Sequence, residues 1–182
     1  SGELISDALG QRIRWTMRGT HNTENAELAV AMAHTVNVPM DRAFGALASF
    51  EGVDRRLNLL FETDNLKIWD DFAHHPTAIE ATLDALRTAG TGHVPLIAVI
   101  ELRSNTMKAG IHGATLLNSV THADQVIWVL PGDAAFDSSV LKRTDGTSLV
   151  VRDALTLEDE LAGLQSGQII FMSNGGFSGI QD

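Results

Sequence analysis

The sequence contains no cysteine at any of its 182 positions. A disulfide framework, a thiolate nucleophile and a thiolate-bound metal are therefore excluded. The absence is compatible with a reducing compartment, and we expect a cytoplasmic protein. The sequence also shows no signal peptide, and no apolar run approaches the roughly 18 residues that predict a membrane span. We therefore expect no membrane partner.

Basic residues are scarce as well. Thirteen lysines and arginines stand against 23 acidic residues, which gives a formal net charge of −10 and a pI near 5.0. Because such a chain repels polyanions, we expect no nucleic-acid partner. An anionic small ligand would need local basic side chains or helix amino ends to overcome this charge.

The apolar residues, in contrast, are abundant enough for a folded core, at 44% of the chain. Their spacing predicts two short strands and two helices before residue 51, with the first helix capped by Asn22 or Thr23. Further along, the spacing predicts strands at 57–61, 66–69, 95–100, 125–130, 148–151 and 169–172, and helices at 77–88, 111–119 and 156–164. This alternation predicts an α/β fold with a mostly parallel sheet flanked by helices.

One stretch, residues 69–79, combines a strand end, a polar elbow and a helix start. Its elbow carries Asp70, Asp71, His74 and His75, and Pro76 suits the first position of the following helix. Ligands of open α/β sheets bind at such elbows, so these side chains are candidate site residues. In the simpler alternative, Asp71 caps backbone amides. A metal is also conceivable, but sequence neighbours rarely point at one ion, and we predict no metal site.

Polar loops also follow other predicted elements. Arg103 and Lys108 follow a buried strand and can compensate phosphate charge in an acidic protein. Ser104 and Asn105, between them, either bind a ligand or cap a helix. The last strand is followed by a loop rich in hydrogen-bond donors, with Ser173, Asn174, Gly175 and Phe177.

Four separated motifs resemble one family, the Mur ligases. They are Gly-Thr-His-Asn-Thr-Glu-Asn (19–25), Gly-Val-Asp-Arg-Arg-Leu (52–57), Asp-Asp-Phe-Ala-His-His-Pro-Thr (70–77) and Glu-Leu-Arg-Ser-Asn-Thr-Met-Lys (101–108). Their order agrees with the family. The resemblance implies a Rossmann-like C-terminal domain over 57–182, preceded over 1–56 by a helical fragment of the central ATP-binding domain.

The resemblance also implies an activity. Mur ligases use ATP and magnesium to convert a carboxylate into an acyl phosphate, which an amine then attacks. The fourth motif is similar to that of the branch that joins a recycled murein tripeptide to UDP-N-acetylmuramate in peptidoglycan recycling, although Leu102 replaces the proline usual there. The alternatives are an alanine-adding ligase of the same family and a noncatalytic α/β nucleotide-binding module.

Residue roles follow from the same resemblance. Asp71, His74 and Lys108 are implied to be catalytic, and Asn25, Arg56 and Asp71 to bind the nucleotide. The implied substrate-binding residues are His75, Arg103, Ser104, Asn105, Ser173, Asn174, Gly175 and Phe177. Asp71 and His74 are expected to face an approaching domain.

Two absences bear on this expectation. The sequence has no Gly-x-x-x-x-Gly-Lys-(Ser/Thr) phosphate loop. The resemblance also implies a UDP-binding N-terminal domain and a larger central domain, which we expect to lie outside this chain. We therefore expect the fragment to be inactive by itself.

Overall fold

The computed structural model describes residues 2–6, 11–15, 17, 20–89, 94–130, 132 and 137–177. Gly19, which opens the first motif, lies outside these residues. The chain divides into two compact units, Ser1–Asp54 and Arg55–Asp182.

The first unit contains a β-hairpin and a pair of helices. Strands β1 (Gly2–Ser6) and β2 (Gln11–Trp15) pair antiparallel. Helices α1 (Thr20–Thr35) and α2 (Met40–Ala48) bury a small cluster in which Val30 packs with Ala43 and Phe44. The two strands and two helices predicted for this region are confirmed.

The predicted cap of α1 is wrong. Asn22 lies inside the first turn of the helix and is buried, because the helix already begins at Thr20. The position before Thr20 lies outside the described residues. Asn25 is consequently a mid-helix residue, and it is exposed to solvent.

The second unit is an α/β layer structure. Its elements in chain order are β3 (Asn58–Glu62), β4 (Leu66–Asp71), α3 (Pro76–Ala89), β5 (Leu96–Glu101), α4 (Asn105–Lys108), α5 (Gly113–Ser119), β6 (Gln125–Val129), a 3-10 helix (Ser138–Leu141), β7 (Ser148–Val151), α6 (Ala154–Ala162) and β8 (Gly167–Met172). Within the described residues, six strands form one sheet in the order β3-β4-β8-β5-β6-β7. Only the β3–β4 pair among them is antiparallel.

The centre of this sheet is apolar on both faces. Every residue of β5 is buried, which explains why its sequence is a continuous apolar run rather than an alternating one. One face packs against α3 through Ile79, Leu83 and Leu86, and the other packs against α6 through Leu157 and Leu161. The predicted α/β fold with a mostly parallel, helix-flanked sheet is confirmed.

The predicted strands and helices of this unit are all present, with bounds shifted by a few residues. Helix α3 begins at Pro76, and the amide of Ile79 donates to the carbonyl of His75, so His75 is the cap position. The bounds of helix α4 were not predicted, although Ser104 and Asn105 were candidate caps, because four residues are too few to show helical periodicity. None of the helices in the described part of the chain combines the length and apolar character needed to cross a membrane.

Candidate active site

The sequence-predicted site residues of the second unit gather at one edge of its sheet. The strands β4, β8 and β5 are adjacent and parallel, so their carboxyl ends and the loops that follow lie side by side. The amide of Ser173, just after β8, donates to the carbonyl of Asp71 at the end of β4, with an N–O distance of 3.1 Å. This carboxyl edge is where open α/β sheets bind ligands.

Asp71 organises the elbow from inside. Its side chain accepts the backbone amide of Leu57 on Oδ2 at 2.8 Å and that of Ala73 on Oδ1 at 2.7 Å. The residue is only 3% exposed, so the expectation that it faces an approaching domain is not met. Burial raises the pKa of this carboxyl, and the Ala73 and Leu57 amides and the Arg56 charge oppose the rise. The alternative in which Asp71 caps backbone amides is confirmed.

The turn before β3 is held against this elbow. Arg55 pairs with Asp70 through Nε and Oδ2 at 3.0 Å, and its Nη2 donates to the carbonyl of Ser173 at 2.8 Å. The amide of Phe72 donates to the carbonyl of Arg55 at 2.7 Å. Arg55 and Leu57 both have left-handed backbone angles, with φ of 59° and 50°. Such strained residues persist only where the surroundings fix them.

Arg56, between these two strained residues, is exposed. Its guanidinium carbon lies 5.9 Å from the centroid of the Phe72 ring, a cation–π distance. Because a guanidinium stays charged and presents a planar fork of donors, Arg56 can bind phosphate or ribose oxygens from this position.

His74 has a defined proton arrangement. Its Nδ1 lies 2.8 Å from the carbonyl oxygen of Phe72. A carbonyl oxygen can only accept, so Nδ1 carries the hydrogen and donates it. In the neutral ring, Nε2 is then a hydrogen-bond acceptor, and the described residues supply no donor to it.

His75 forms a pair with His112, a residue that the sequence did not point to. The two rings meet edge to face with centroids 4.6 Å apart, and His75 Nδ1 lies 3.1 Å from the Thr77 hydroxyl. Burial lowers the pKa of His112, and the neighbouring His75 lowers it further. Nε2 of His112 is buried and has no hydrogen-bond partner among the described residues.

In the loop after β5, some residues have structural roles and others are exposed to solvent. Ser104 caps α4, because its Oγ accepts the amide of Met107 at 3.3 Å. The capping alternative is thereby confirmed for Ser104. Asn105 is the first residue of α4, and Lys108 is its last. Arg103 is exposed and forms no hydrogen bond or ion pair with any residue that the structure describes.

The loop after β8 is fixed at both ends. Ser173 is buried, and its hydroxyl donates to Glu101 Oε2 while accepting the amide of Gly175 at 2.7 Å. Phe177 is only 2% exposed, and its ring packs edge to face on Phe171 with a centroid separation of 5.3 Å. Oδ1 of Asn174 is buried without a partner among the described residues. Phe177 therefore anchors the loop in the core, whereas Asn174 keeps an unused acceptor.

Asn25 belongs to the first unit, where it lies on α1. No group of three histidine, aspartate or glutamate residues in the described ranges is arranged to hold a metal ion.

Three residues with organising contacts were not assigned a role from the sequence, namely Arg55, Glu101 and His112. Glu101 gave a signal, since a charged residue ends an otherwise apolar strand. Arg55 lies in the 52–57 motif, but its bond with Asp70 was not predictable, and His112 gave no signal, because the partners of both residues lie 15 or more positions away in the chain.

Comparison with known proteins agrees with this geometry. The family model described as "Mur ligase, glutamate ligase domain" matches residues 55–172. UDP-N-acetylmuramate–L-alanyl-gamma-D-glutamyl-meso-2,6-diaminoheptandioate ligases are similar throughout the chain. The Escherichia coli K12 enzyme is 42% identical over 97% of this chain, and the Haemophilus influenzae Rd enzyme is 36% identical over 98%.

A crystal structure of a murein peptide ligase from Psychrobacter arcticus 273-4 superposes with a TM-score of 0.75, at 35% identity. The superposition covers 96% of this chain and 38% of the chain in that crystal structure. The chain spans 39% of the length of the two curated relatives. The matched model, the sequence identity and the shared fold together establish that the chain belongs to the Mur ligase family.

Proposed function

We propose that the full-length protein containing this chain is an ATP-dependent amide ligase that joins a murein tripeptide to UDP-N-acetylmuramate in peptidoglycan recycling. Residues 57–182 are its C-terminal domain, and residues 1–56 are the end of its central ATP-binding domain. The remaining central domain and a UDP-binding N-terminal domain complete the enzyme. Family membership and the similarity to ligases of this name support the proposal.

A single observation carries the proposal. Residues of two separate motifs are joined at the carboxyl edge of the sheet through Ser173, whose amide donates to the carbonyl of Asp71 and whose hydroxyl donates to Glu101. Convergence of separate motifs on one ligand-binding edge is expected of a site rather than of sequence patterns that match by chance.

The proposed reaction builds up negative charge. A carboxylate attacks the terminal phosphate of ATP, ADP leaves, and the resulting acyl phosphate is attacked by an amine with loss of phosphate. Fixed cations stabilise such charge best when water is excluded. Arg56, Arg103 and Lys108 supply cations at this edge, with Arg56 on the nucleotide and the other two on phosphate or carboxylate groups.

The elbow residues take two different roles in this proposal. Asp71 holds the turn that carries Arg56, so it acts on the nucleotide site by positioning the turn, through its bond with the amide of Leu57. His74, with Nδ1 fixed on the Phe72 carbonyl, offers Nε2 to the attacking amine as a proton acceptor.

The remaining residues contact substrates or the base of the nucleotide. Asn25 binds the adenine edge, where an amide side chain can donate and accept at once. The substrate-facing set is His75, Asn105 and Asn174, while Ser104 caps α4 and Ser173, Gly175 and Phe177 shape the loop after β8 from within. The described residues contain no cluster of three ligands for magnesium, which the family uses.

The chain by itself should be inactive, because its sequence lacks the phosphate loop. Incubating the chain with ATP, UDP-N-acetylmuramate and tripeptide is expected to yield no ligation product by mass spectrometry. The full-length protein under identical conditions is expected to yield UDP-N-acetylmuramyl tripeptide. Formation of product by the chain alone would refute the proposal that the activity needs the rest of the full-length protein.

The acceptor separates the proposal from its alternatives. With tripeptide and free L-alanine supplied at equal concentration, the full-length protein is expected to consume the tripeptide. Preference for alanine would identify the alanine-adding alternative. ATP binding without ADP release for either acceptor would identify a noncatalytic nucleotide-binding module.

A further inference from the structure

The carboxyl ends of β5 and β8 are joined by a buried polar contact. Glu101, the last residue of β5, is 7% exposed, and its Oε2 accepts the hydroxyl of Ser173. The same hydroxyl accepts the amide of Gly175 at 2.7 Å. Buried polar groups are retained when each has a partner, and these bonds fix the first three residues of the loop after β8 onto the end of β5.

Gly175 leaves a space that the side chain of Arg103 occupies. A Cβ atom placed on Gly175 would lie 2.5 Å from Nη1 of Arg103, 2.8 Å from its Cδ and 3.0 Å from Oε2 of Glu101. The first two distances are far below van der Waals contact, so any larger residue would displace the arginine. The neighbouring Gly176 is different, because a Cβ there would meet no atom within 4 Å.

Arg103 therefore packs against Gly175 without an ion pair to any described residue. Its stem and one guanidinium nitrogen lie against the Gly175 backbone, while the residue remains exposed and unpaired within the described part of the chain. A fixed but unpaired guanidinium is preorganised for a carboxylate or phosphate ligand, since less side-chain freedom is lost on binding.

We propose that Glu101 and Gly175 form a seat that positions Arg103 toward an anionic group of the substrates. Glu101 and Gly175 are positioning residues here, and Arg103 makes the contact. The inference rests on the proposed ligase function and adds to it a device that fixes one of its cations. The anionic group is either a carboxylate of the tripeptide or a phosphate of ATP or the acyl phosphate.

The test compares Gly175→Ala with the matched control Gly176→Ala in the full-length protein. Gly175→Ala is expected to lower kcat/KM about 10- to 100-fold, since a displacement of about 1 Å at a site can cost that much. Gly176→Ala is expected to stay within about twofold. A rise in KM for tripeptide identifies the peptide carboxylate, a rise in KM for ATP identifies its phosphates, and a fall in kcat alone identifies the acyl phosphate.

A double-mutant cycle separates positioning from a general disturbance of the loop. In an Arg103→Ala background the added methyl has no arginine to displace, so Gly175→Ala is expected to have no further effect on kcat/KM. The proposal would be overturned if the loss of kcat/KM in the double variant equalled the product of the two single-variant losses. Equal kcat/KM values for Gly175→Ala and Gly176→Ala would also overturn it.

Glu101→Gln covers the case in which Gly175→Ala does not fold. A glutamine oxygen still accepts the Ser173 hydroxyl, but the negative charge beside the arginine is lost. The value of kcat/KM is expected to fall about 3- to 10-fold, and the fall should be absent with Arg103→Ala. An unchanged kcat/KM would count against the seat. If the wild-type protein ligates no tripeptide, the proposed function has failed, whereas an active wild type with silent variants means that only this inference has failed.

Discussion

At the scale of single residues, Asp71 shows how one buried side chain shapes a site without facing it. Its two oxygens accept amides from the turn before β3 and from the elbow itself. Both strained residues flanking Arg56 depend on this arrangement, directly or through their neighbours. A buried carboxylate thus helps to fix the backbone turn that carries the exposed Arg56.

Replacing Asp71 by asparagine is expected to destabilise the chain by about 1–3 kcal/mol. An amide has one oxygen, so its NH2 group must oppose one of the two backbone amides that Asp71 now accepts. Urea unfolding of this chain measures the loss. Asp64→Asn, in the exposed turn between β3 and β4, is the control and is expected to change little. Equal free energies of unfolding for the two variants would contradict the assigned role.

His112 gives a second prediction at this scale. Burial and His75 both lower its pKa, so the ring is expected to titrate below its ordinary value of 6.5 in an NMR titration. Replacing His75 by alanine should raise the pKa part of the way back, because burial, the larger cause, remains. A lowered pKa means that the His112 contribution to stability is present above pH 6.5 and is lost as pH falls through the folded pKa. An unchanged pKa of His112 in the His75→Ala variant would contradict the pairing of the two rings.

At the scale of elements, the last strand occupies the centre of the sheet. β8 lies between β4 and β5, and its first residue, Gly167, donates to the carbonyl of Asn65 at 2.8 Å. Gly167 has φ of 120°, and a Cβ there would lie 2.8 Å from the carbonyl oxygen of Pro95. The entry of β8 into the sheet therefore requires glycine, both for the backbone angle and for the close approach.

Gly167→Ala is accordingly expected to lower the free energy of unfolding by about 2–4 kcal/mol, since it combines backbone strain with a clash against main chain. Gly163→Ala is the matched control, because Gly163 ends α6 with φ of −79° and open space around its Cβ. Thermal or urea unfolding of the chain compares the two. A loss no larger for position 167 than for position 163 would show that the strand entry tolerates a side chain.

Some of these elements were predictable from the sequence alone, and the order of the strands was not. β5 and β6 were predictable because continuous apolar runs mark strands buried on both faces, and α3 because Pro76 marks its start. The position of β8 was not predictable, since strand order depends on contacts between distant segments. For the same reason the sequence did not identify Ser173 as the partner of Glu101, which lies 72 positions away.

At the scale of the whole molecule, the proposed activity needs parts of a longer protein as well as this chain. The chain spans 39% of its curated relatives, and the proposed phosphate loop lies in the part that it does not contain. An acidic chain with net charge −10 concentrates Arg55, Arg56, Arg103 and Lys108 in loops and a short helix around one sheet edge. The acidic residues of this edge are buried, whereas Arg56 and Arg103 are exposed and suit phosphate and carboxylate ligands.

The most direct test that this sheet edge binds the substrates compares two charge-removing substitutions in the full-length protein. Arg103→Ala removes a cation at the carboxyl edge of the sheet, and Lys67→Ala removes one from the amino half of β4, where it pairs with Glu62 at 2.5 Å. Steady-state kinetics of ATP-dependent tripeptide ligation should show kcat/KM reduced about 10- to 100-fold for Arg103→Ala, the effect of one charge-assisted hydrogen bond. Lys67→Ala should stay within about twofold. Equal losses for the two variants would contradict the claim that this edge binds the reacting substrates.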